Sequence, residues 1–197
     1  IQTTMKLMPH ILVSRESFFK KTEAFFHLTH YFVHPLMLSL SVLALPVIHL
    51  FKPAAGPVLF TSIALVLLLS ISAPSTLYVF SQKYIYDDWK KRVLWLPFLV
   101  IIGVGIAVSN SKAVFEAFLG IKSDFVRTPK KGDREKKSYL PVKSSMAYVE
   151  ISLGFYCFIS FLSYLAAGKY LVGPFLFIYA IGFLSVGTGT LLQDRSA

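Results

Sequence analysis

One short basic segment carries the residues best suited to chemistry. Residues 123–132 read Ser-Asp-Phe-Val-Arg-Thr-Pro-Lys-Lys-Gly, so an aromatic ring, a hydroxyl and three cations lie within seven residues. Such a set can cover a nucleotide, with Phe125 against the base and Arg127, Thr128 and Lys130 toward the diphosphate. The alternative is a solvated basic loop on the cytoplasmic side of a membrane, which composition by itself favours.

Two further sets of ionisable residues are candidates for a site. His27, His30 and His34 are spaced by three and four, so they share one helix face and have a spacing that can hold a metal ion. No Cys, Asp or Glu accompanies them on that face, which favours a polar stripe at the membrane entry. Glu150 is the only acid within an apolar span, where it either lines a polar path or lies in the first helical turn near headgroup water.

The usual enzymatic motifs are missing from this sequence. There is no Gly-rich phosphate loop, no G-x-S-x-G, no H-E-x-x-H and no pair of carboxylates within an apolar span. A single cysteine, Cys157, excludes an intramolecular disulfide and a Cys-rich metal site. Because it lies in an apolar run, we expect it to be a buried core residue.

Composition places these residues in a membrane protein. The 197-residue chain is 55% hydrophobic and only 15% charged, and its mean hydropathy is +0.62. Soluble domains carry about 25% charged residues, so this chain has too few charges to cover a soluble globule. The net charge of +10 therefore indicates basic cytoplasmic loops rather than a nucleic-acid-binding surface.

Four apolar stretches are long enough to cross a hydrocarbon core of about 30 Å, which needs about 20 residues. They are Tyr31–Phe51, Pro57–Phe80, Ala147–Ala167 and Tyr170–Leu192. Their length and the absence of alternation exclude membrane strands. A fifth stretch, Val93–Val108, has only 16 residues and is either a short span or a segment in the interface.

Charge predicts where the fifth stretch lies. Lys83, Lys90, Lys91 and Arg92 precede it, and nine cations fall within residues 110–146 after it. If it crossed the membrane, one of these basic segments would lie outside, against the positive-inside bias. If it does not cross, 18 of the 20 Lys and Arg residues are cytoplasmic. We therefore expect an all-α integral membrane protein with four transmembrane helices, cytoplasmic N- and C-termini, and an interfacial or re-entrant helix at 93–108.

Further segments have the pattern of amphipathic helices that lie in the membrane interface. Their apolar residues are Ile1, Met5, Met8 and Leu12; Phe18, Phe19, Phe25 and Phe26; and Ala113, Val114, Ala117 and Phe118 within Asn110–Leu119. In the last of these helices Lys112 and Glu116 are four apart on the polar side, and Gly120 is placed to end the helix.

One motif and its surroundings resemble a known family. Phe125, Thr128 and Lys130 have the spacing Phe-x-x-Thr-x-Lys, and the run Gly-Ile-Ala-Val-Ser-Asn-Ser-Lys-Ala-Val precedes them at 105–114. This resembles the C-terminal membrane region of family-2 glycosyltransferases of the cellulose-synthase-like type, whose Phe-x-Val-Thr-x-Lys gating loop follows an interfacial helix. Arg127 stands where those synthases commonly have Val. Residues 1–6 also resemble the sequence after their Gln-x-x-Arg-Trp motif.

The likeness covers nearly the whole chain in order. It implies interfacial amphipathic helices at 1–30, a first transmembrane hairpin at 31–80, and a cytoplasmic linker with an interfacial or re-entrant helix at 81–122. A basic gating-like loop at 123–146 and a second transmembrane hairpin at 147–197 follow. The family's catalytic Asp motifs and its acceptor motif are not in this sequence. We therefore expect no catalytic residue and no metal site here, and a piece of a longer protein.

The resemblance also implies a function. The chain would be the membrane and channel module of a glycosyltransferase that transfers sugar from a nucleotide-sugar donor to a growing polysaccharide. Phe125, Arg127, Thr128 and Lys130 would form the gating loop over the donor. Its partners would be the lipid bilayer, the upstream glycosyltransferase domain, the nucleotide sugar and the polysaccharide, with no nucleic acid. No cofactor is expected on this chain, and Mg or Mn is expected in the upstream domain.

Two functions of other classes stay open. One is a non-catalytic polytopic subunit or scaffold whose basic loops bind anionic lipid. The other is a small transporter, which is disfavoured because the spans lack the buried charges and paired broken helices that transporters use. The expected location is the bacterial inner membrane, with a Golgi or plasma membrane as alternatives.

Overall fold

The computed structural model describes residues 1–50, 57–121 and 146–196, and every regular element among them is helical. In chain order the helices are α1 (Gln2–Val13), α2 (Phe18–Thr29), a 3-10 turn (His30–Phe32), α3 (Val33–Leu50), α4 (Pro57–Ile85), α5 (Trp89–Val93), α6 (Leu96–Gly105), α7 (Ala107–Phe118), α8 (Met146–Ala166) and α9 (Gly173–Ser196). The predicted all-α class is confirmed.

Four helical segments are long and apolar enough to cross a membrane, as predicted. They are Phe18–Leu50, Ala64–Ile85, Met146–Ala166 and Gly173–Gln193. Each overlaps one of the four predicted stretches. The chain is therefore a multi-pass membrane protein by the length and composition of its helices.

The first span is longer than its apolar stretch. Helix α2 continues through the 3-10 turn into α3, so that Phe18–Leu50 is one helical run of 33 residues. At 1.5 Å per residue this run is about 50 Å long, which exceeds a hydrocarbon core of about 30 Å. The second amphipathic segment is thus an extension of the first span rather than a separate helix, with Phe18, Phe19 and Phe26 strongly exposed.

Helices α8 and α9 form a closely packed hairpin, because glycines bring the two helices together. A Cβ placed on Gly187 would lie 2.9 Å from the carbonyl oxygen of Ala147, and one on Gly154 would lie 2.6 Å from Cγ of Leu184. Small residues at such contacts let helix backbones approach in lipid, where packing rather than water exclusion drives association. Helices α3, α6 and α7 pack against this hairpin.

The fifth apolar stretch is divided among three helices. It runs from the end of α5 through α6 into α7, and α6 and α7 meet at Ile106 with a bend of about 40°. Gly105 of α6 lies against Gly182, close to the middle of α9: a Cβ on Gly182 would lie 2.7 Å from the carbonyl oxygen of Ile101. Helix α6 therefore packs along a span, and the described residues contain four spans, or up to five if α5–α7 is one bent span.

The buried core lies where these helices meet. It consists of Val104, Ala107, Val108, Cys157, Ala180 and Phe183, with Met37, Leu38, Met146 and Leu153 packed against it. Cys157 has no exposed surface, which confirms that it is a core residue. Helix α7 is thereby fixed to α3, α8 and α9 rather than lying free in the interface.

Candidate functional site

The four residues predicted to form the gating loop, Phe125, Arg127, Thr128 and Lys130, lie outside the described residues. The structure instead describes the element that leads into them, helix α7. This helix ends as predicted at Gly120, whose φ of 70° is the left-handed conformation that glycine adopts most readily. The amide of Ile121 donates to the carbonyl oxygen of Glu116 at 2.9 Å, which completes a glycine-based helix cap.

The buried face of α7 differs by part of a turn from the predicted one. Val114 and Ala117 are buried as expected, but Ala113 is exposed and Phe118 is 51% exposed. Ser111 takes the place of Ala113 on the buried face, with only 1% of its surface exposed. The hydropathy pattern missed Ser111 because a serine is scored as polar, although its small hydroxyl fits a close helix contact.

The polar face of α7 is as predicted. Lys112 Nζ lies 3.7 Å from Glu116 Oε1, and both side chains are exposed to a similar degree. An exposed i,i+4 pair of this kind contributes only about 0.3–0.5 kcal/mol. The charged side of α7 faces away from the core because the opposite side carries the buried residues Val114 and Ala117.

Helix α7 also joins the first span through aromatic and polar contacts. The rings of Phe118 and Phe32 are 5.5 Å apart between centroids. Asn110 Nδ2 and His34 Nε2 are within hydrogen-bond distance at 3.0 Å. These contacts hold both ends of α7, so the residue from which the basic segment departs has a fixed position.

Three polar atoms on α3, α7 and α8 are buried without a hydrogen-bond partner among the described residues. They are His34 Nδ1, Ser111 Oγ and Glu150 Oε2. Each residue lies one helical turn from a residue in or packed against the core: His34 from Met37 and Leu38, Ser111 from Ala107 and Val108, Glu150 from Met146 and Leu153. The three side chains therefore lie on the core-facing sides of their helices.

Glu150 is the most buried ionisable group of this set, with 3% of its surface exposed. It lies in the α8–α9 contact, where a Cβ on Gly187 would come within 3.1 Å of the Glu150 Cβ. A carboxyl, a hydroxyl and an imidazole nitrogen with unused hydrogen-bonding capacity can bind water or a hydroxyl-bearing molecule. The sequence drew attention to Glu150 and His34, but neither Ser111 nor Asn110 carried a signal.

The histidines do not converge on one point. His30 Nδ1 bonds with the carbonyl oxygen of His27 at 2.6 Å, whereas His34 faces Asn110 of α7. Within residues 1–50, 57–121 and 146–196 no group of three His, Cys, Asp or Glu side chains could hold a metal ion. The arrangement supports the interpretation as a polar stripe on the first span.

A second polar feature lies at the corner between α4 and α5. Arg92 Nε donates to Asp88 Oδ1 at 2.8 Å, and its guanidinium lies 3.7 Å from the centroid of the Tyr86 ring. The hydrogen bond from Arg92 lowers the pKa of the Asp88 carboxyl, which keeps this carboxylate ionised as the partner of Arg92.

No protein family, curated protein or solved structure matches the chain.

Proposed function

We propose that the chain is the membrane module of a membrane-embedded glycosyltransferase that transfers sugar from a nucleotide sugar to a growing polysaccharide. The observation that carries the proposal is helix α7. It is amphipathic, it is docked on α3 and on the α8–α9 hairpin, and it ends in a glycine cap at Gly120. Four residues beyond its capping bond, at Phe125, the motif Phe-x-x-Thr-x-Lys begins.

The physical role of this arrangement is to anchor a cationic segment beside a reacting diphosphate. Departure of a nucleoside diphosphate develops negative charge, and cations placed in advance stabilise that charge in the transition state. Lys130 and Arg127 would supply this charge, and Phe125 would cover the base. Closure of such a segment also excludes water, which would otherwise hydrolyse the activated sugar.

The order of the elements supports the same proposal. Two spans are followed by α6, which is apolar, and by α7, which is amphipathic and bent away from α6. The basic segment and two further spans come next. At the N-terminus, α1 folds back on α2: Thr4 Oγ1 donates to the Leu28 carbonyl oxygen at 2.7 Å and Lys21 Nζ to that of Leu12 at 2.8 Å. This hairpin, continuous with the first span, would seat the catalytic domain on the cytoplasmic face.

The sequence of the source gene upstream of Ile1 gives the first test. We expect it to encode Gln-x-x-Arg-Trp shortly before Ile1 and spaced Asp motifs further upstream. A gene that begins close to Ile1, or that encodes an unrelated upstream segment, would contradict the proposal. In that case the non-catalytic membrane subunit would be the better interpretation.

The second test is substitution in the intact membrane enzyme. Thr128→Ala and Lys130→Ala are each expected to lower the rate of sugar transfer. For Lys130→Ala we expect a loss on the order of 100-fold, the effect of removing one preorganised group that stabilises a developing charge. Lys136→Ala and Lys137→Ala remove charge from the same segment outside the motif, so they should leave turnover within a few-fold. Equal effects of the three lysine substitutions would show that only the total charge matters and would contradict a specific role of Lys130.

Protection by nucleotide separates binding from folding. We expect UDP to protect the backbone of residues 125–131 from proteolysis in the intact protein and Lys130→Ala to remove this protection. The thermal unfolding temperature of the membrane part should stay unchanged in the same variant. Protection that survives Lys130→Ala would exclude this residue from the donor site.

A further inference from the structure

A groove lies between the end of α4 and the α5–α6 segment. It has a volume of about 450 Å³, within the range of roughly 300–1,000 Å³ typical of small-molecule sites. Its walls are mostly apolar and aromatic, with polar groups at Gln82 and Arg92. The lining residues are Tyr78, Gln82, Arg92, Trp95, Leu96, Phe98, Leu99 and Ile102.

The groove is polar at one end and apolar along the rest of its length. Gln82 and Arg92 lie toward the α4–α5 corner, where the chain turns through an exposed polar segment at 86–88. From there the wall continues along α6 through Leu99 to Ile102, within the apolar stretch that packs along α9. A ligand that fills this groove must have a polar head and an apolar tail.

Arg92 is held in a fixed position at the polar end. Its Nε donates to Asp88 and its guanidinium covers the ring of Tyr86, and no described residue accepts a hydrogen bond from its Nη groups. Arginine binds phosphate through paired N–H donors, and a guanidinium that is already oriented loses less entropy on binding. The free Nη groups of Arg92 thus present a preorganised pair of donors for a phosphate oxygen.

The surroundings of Arg92 add positive charge. Lys83, Lys90 and Lys91 are exposed within ten residues of it, against Asp87 and the paired Asp88. Trp89 and Trp95 flank the same corner, and tryptophan favours the level of the lipid headgroups. Cations near an anionic leaflet strengthen lipid binding by a factor of about five each.

From this arrangement we propose that the α4–α6 groove binds one anionic phospholipid, with its phosphate at Arg92 and one acyl chain along Trp95, Leu99 and Ile102. The ends of α4 and α6 are separated by the groove, so the lipid would fill the space between them. This site is independent of the proposed sugar transfer.

Fluorescence of Trp95 provides the test, because bromine atoms on an acyl chain quench tryptophan at contact distance. The full-length protein is reconstituted in phosphatidylcholine with rising fractions of dibrominated phosphatidylglycerol or dibrominated phosphatidylcholine. The Trp95 signal is the difference between the protein and its Trp95→Phe variant, so that other tryptophans cancel. We expect half-maximal quenching at an about five-fold lower mole fraction of the anionic lipid.

Two variants distinguish a site from general surface charge. Arg92→Gln should abolish the preference for phosphatidylglycerol, whereas Lys112→Gln, which removes one cation from α7, should leave it intact. Equal quenching by both lipids, or equal loss of preference in both variants, would overturn the proposal. Displacement of the anionic lipid by millimolar inorganic phosphate would also overturn it, because the site would then recognise free phosphate rather than a lipid.

Discussion

Glu150 and Ser160 lie on the same helix, and both are almost fully buried, but their hydrogen bonding differs. Ser160 Oγ donates to the carbonyl oxygen of Tyr156 at 2.8 Å, whereas Glu150 Oε2 has no partner among the described residues. Burying a polar group without a hydrogen bond costs about 1–3 kcal/mol in protein mutational data. Glu150 is therefore expected to weaken the α8–α9 contact that contains it.

Replacement of Glu150 by methionine tests this expectation. Because methionine is similar in length and has no hydrogen bond to lose, Glu150→Met should unfold at the same temperature as the parent or at a higher one. Ser160→Ala, which loses a satisfied hydrogen bond, should cost about 1 kcal/mol. Both are measured by thermal unfolding in the same detergent or nanodisc.

The Glu150→Met variant also tests whether the buried carboxyl takes part in sugar transfer. A Glu150→Met variant that is as stable as the parent but has lost sugar transfer would mark the buried carboxyl as a functional group. A variant that unfolds at a lower temperature than Ser160→Ala would contradict the expected cost of the buried carboxyl.

At the scale of helices, hydropathy predicted the four spans, whose length and apolar character are set by the bilayer. It missed the helix break at Ile106, which depends on more than local sequence. The stretch Ala147–Ala167 became α8 at Met146–Ala166, because length and apolar character define a span. The break at Ile106 carried no local signal. It lies beside the contact of Gly105 with Gly182, residues 77 apart in the chain, and such a tertiary contact is invisible to periodicity.

The candidate site was predictable to a different degree. Phe125, Thr128 and Lys130 were predicted from a resemblance in motif and in the order of elements, and they lie outside the described residues. The cap at Gly120 and the Lys112–Glu116 pair follow from local rules and were predicted. The burial of Ser111 and the contact of Asn110 with His34 depend on how α7 is rotated against α3, which two helices decide together.

Two glycines of α6 provide a matched pair for testing this contact. A Cβ on Gly105 would meet the Val186 side chain and lie 2.5 Å from the carbonyl oxygen of Gly182, whereas a Cβ on Gly103 would have nothing within 4 Å. We expect Gly105→Ala to destabilise the fold by about 1–3 kcal/mol, as for an overpacked core. Thermal unfolding measures the difference.

Gly103→Ala is the control for that substitution. Alanine is a better helix former than glycine by up to about 1 kcal/mol, so Gly103→Ala should be neutral or stabilising. If both variants behave alike, α6 does not lie against α9, and its position along the span would have to be revised.

At the scale of the whole molecule, charge and helix geometry must agree on one topology. The hydropathy of the helices allows four spans, or five if α5–α7 crosses as one bent helix. The two topologies differ in where they place the cations. With four spans, 18 of the 20 Lys and Arg residues lie on one side of the membrane. With five, the cations before α5 and those after α7 face opposite sides, which the positive-inside bias opposes. From the charges we therefore expect α6 to enter the helix bundle without α5–α7 crossing the membrane.

Cysteine accessibility can decide between the two topologies, since Cys157 is buried and can be replaced by serine as a background. Single cysteines at Lys91, Lys137 and Tyr170 are then treated with a membrane-impermeant thiol reagent from either side of sealed vesicles. We expect Lys91→Cys and Lys137→Cys to react from the same side and Tyr170→Cys from the other. Labelling of Lys91→Cys and Lys137→Cys from opposite sides would establish a fifth span. It would then separate the basic segment after Gly120 from the α4–α5 corner, so that a donor site and the Arg92 groove could not share the cytoplasmic face.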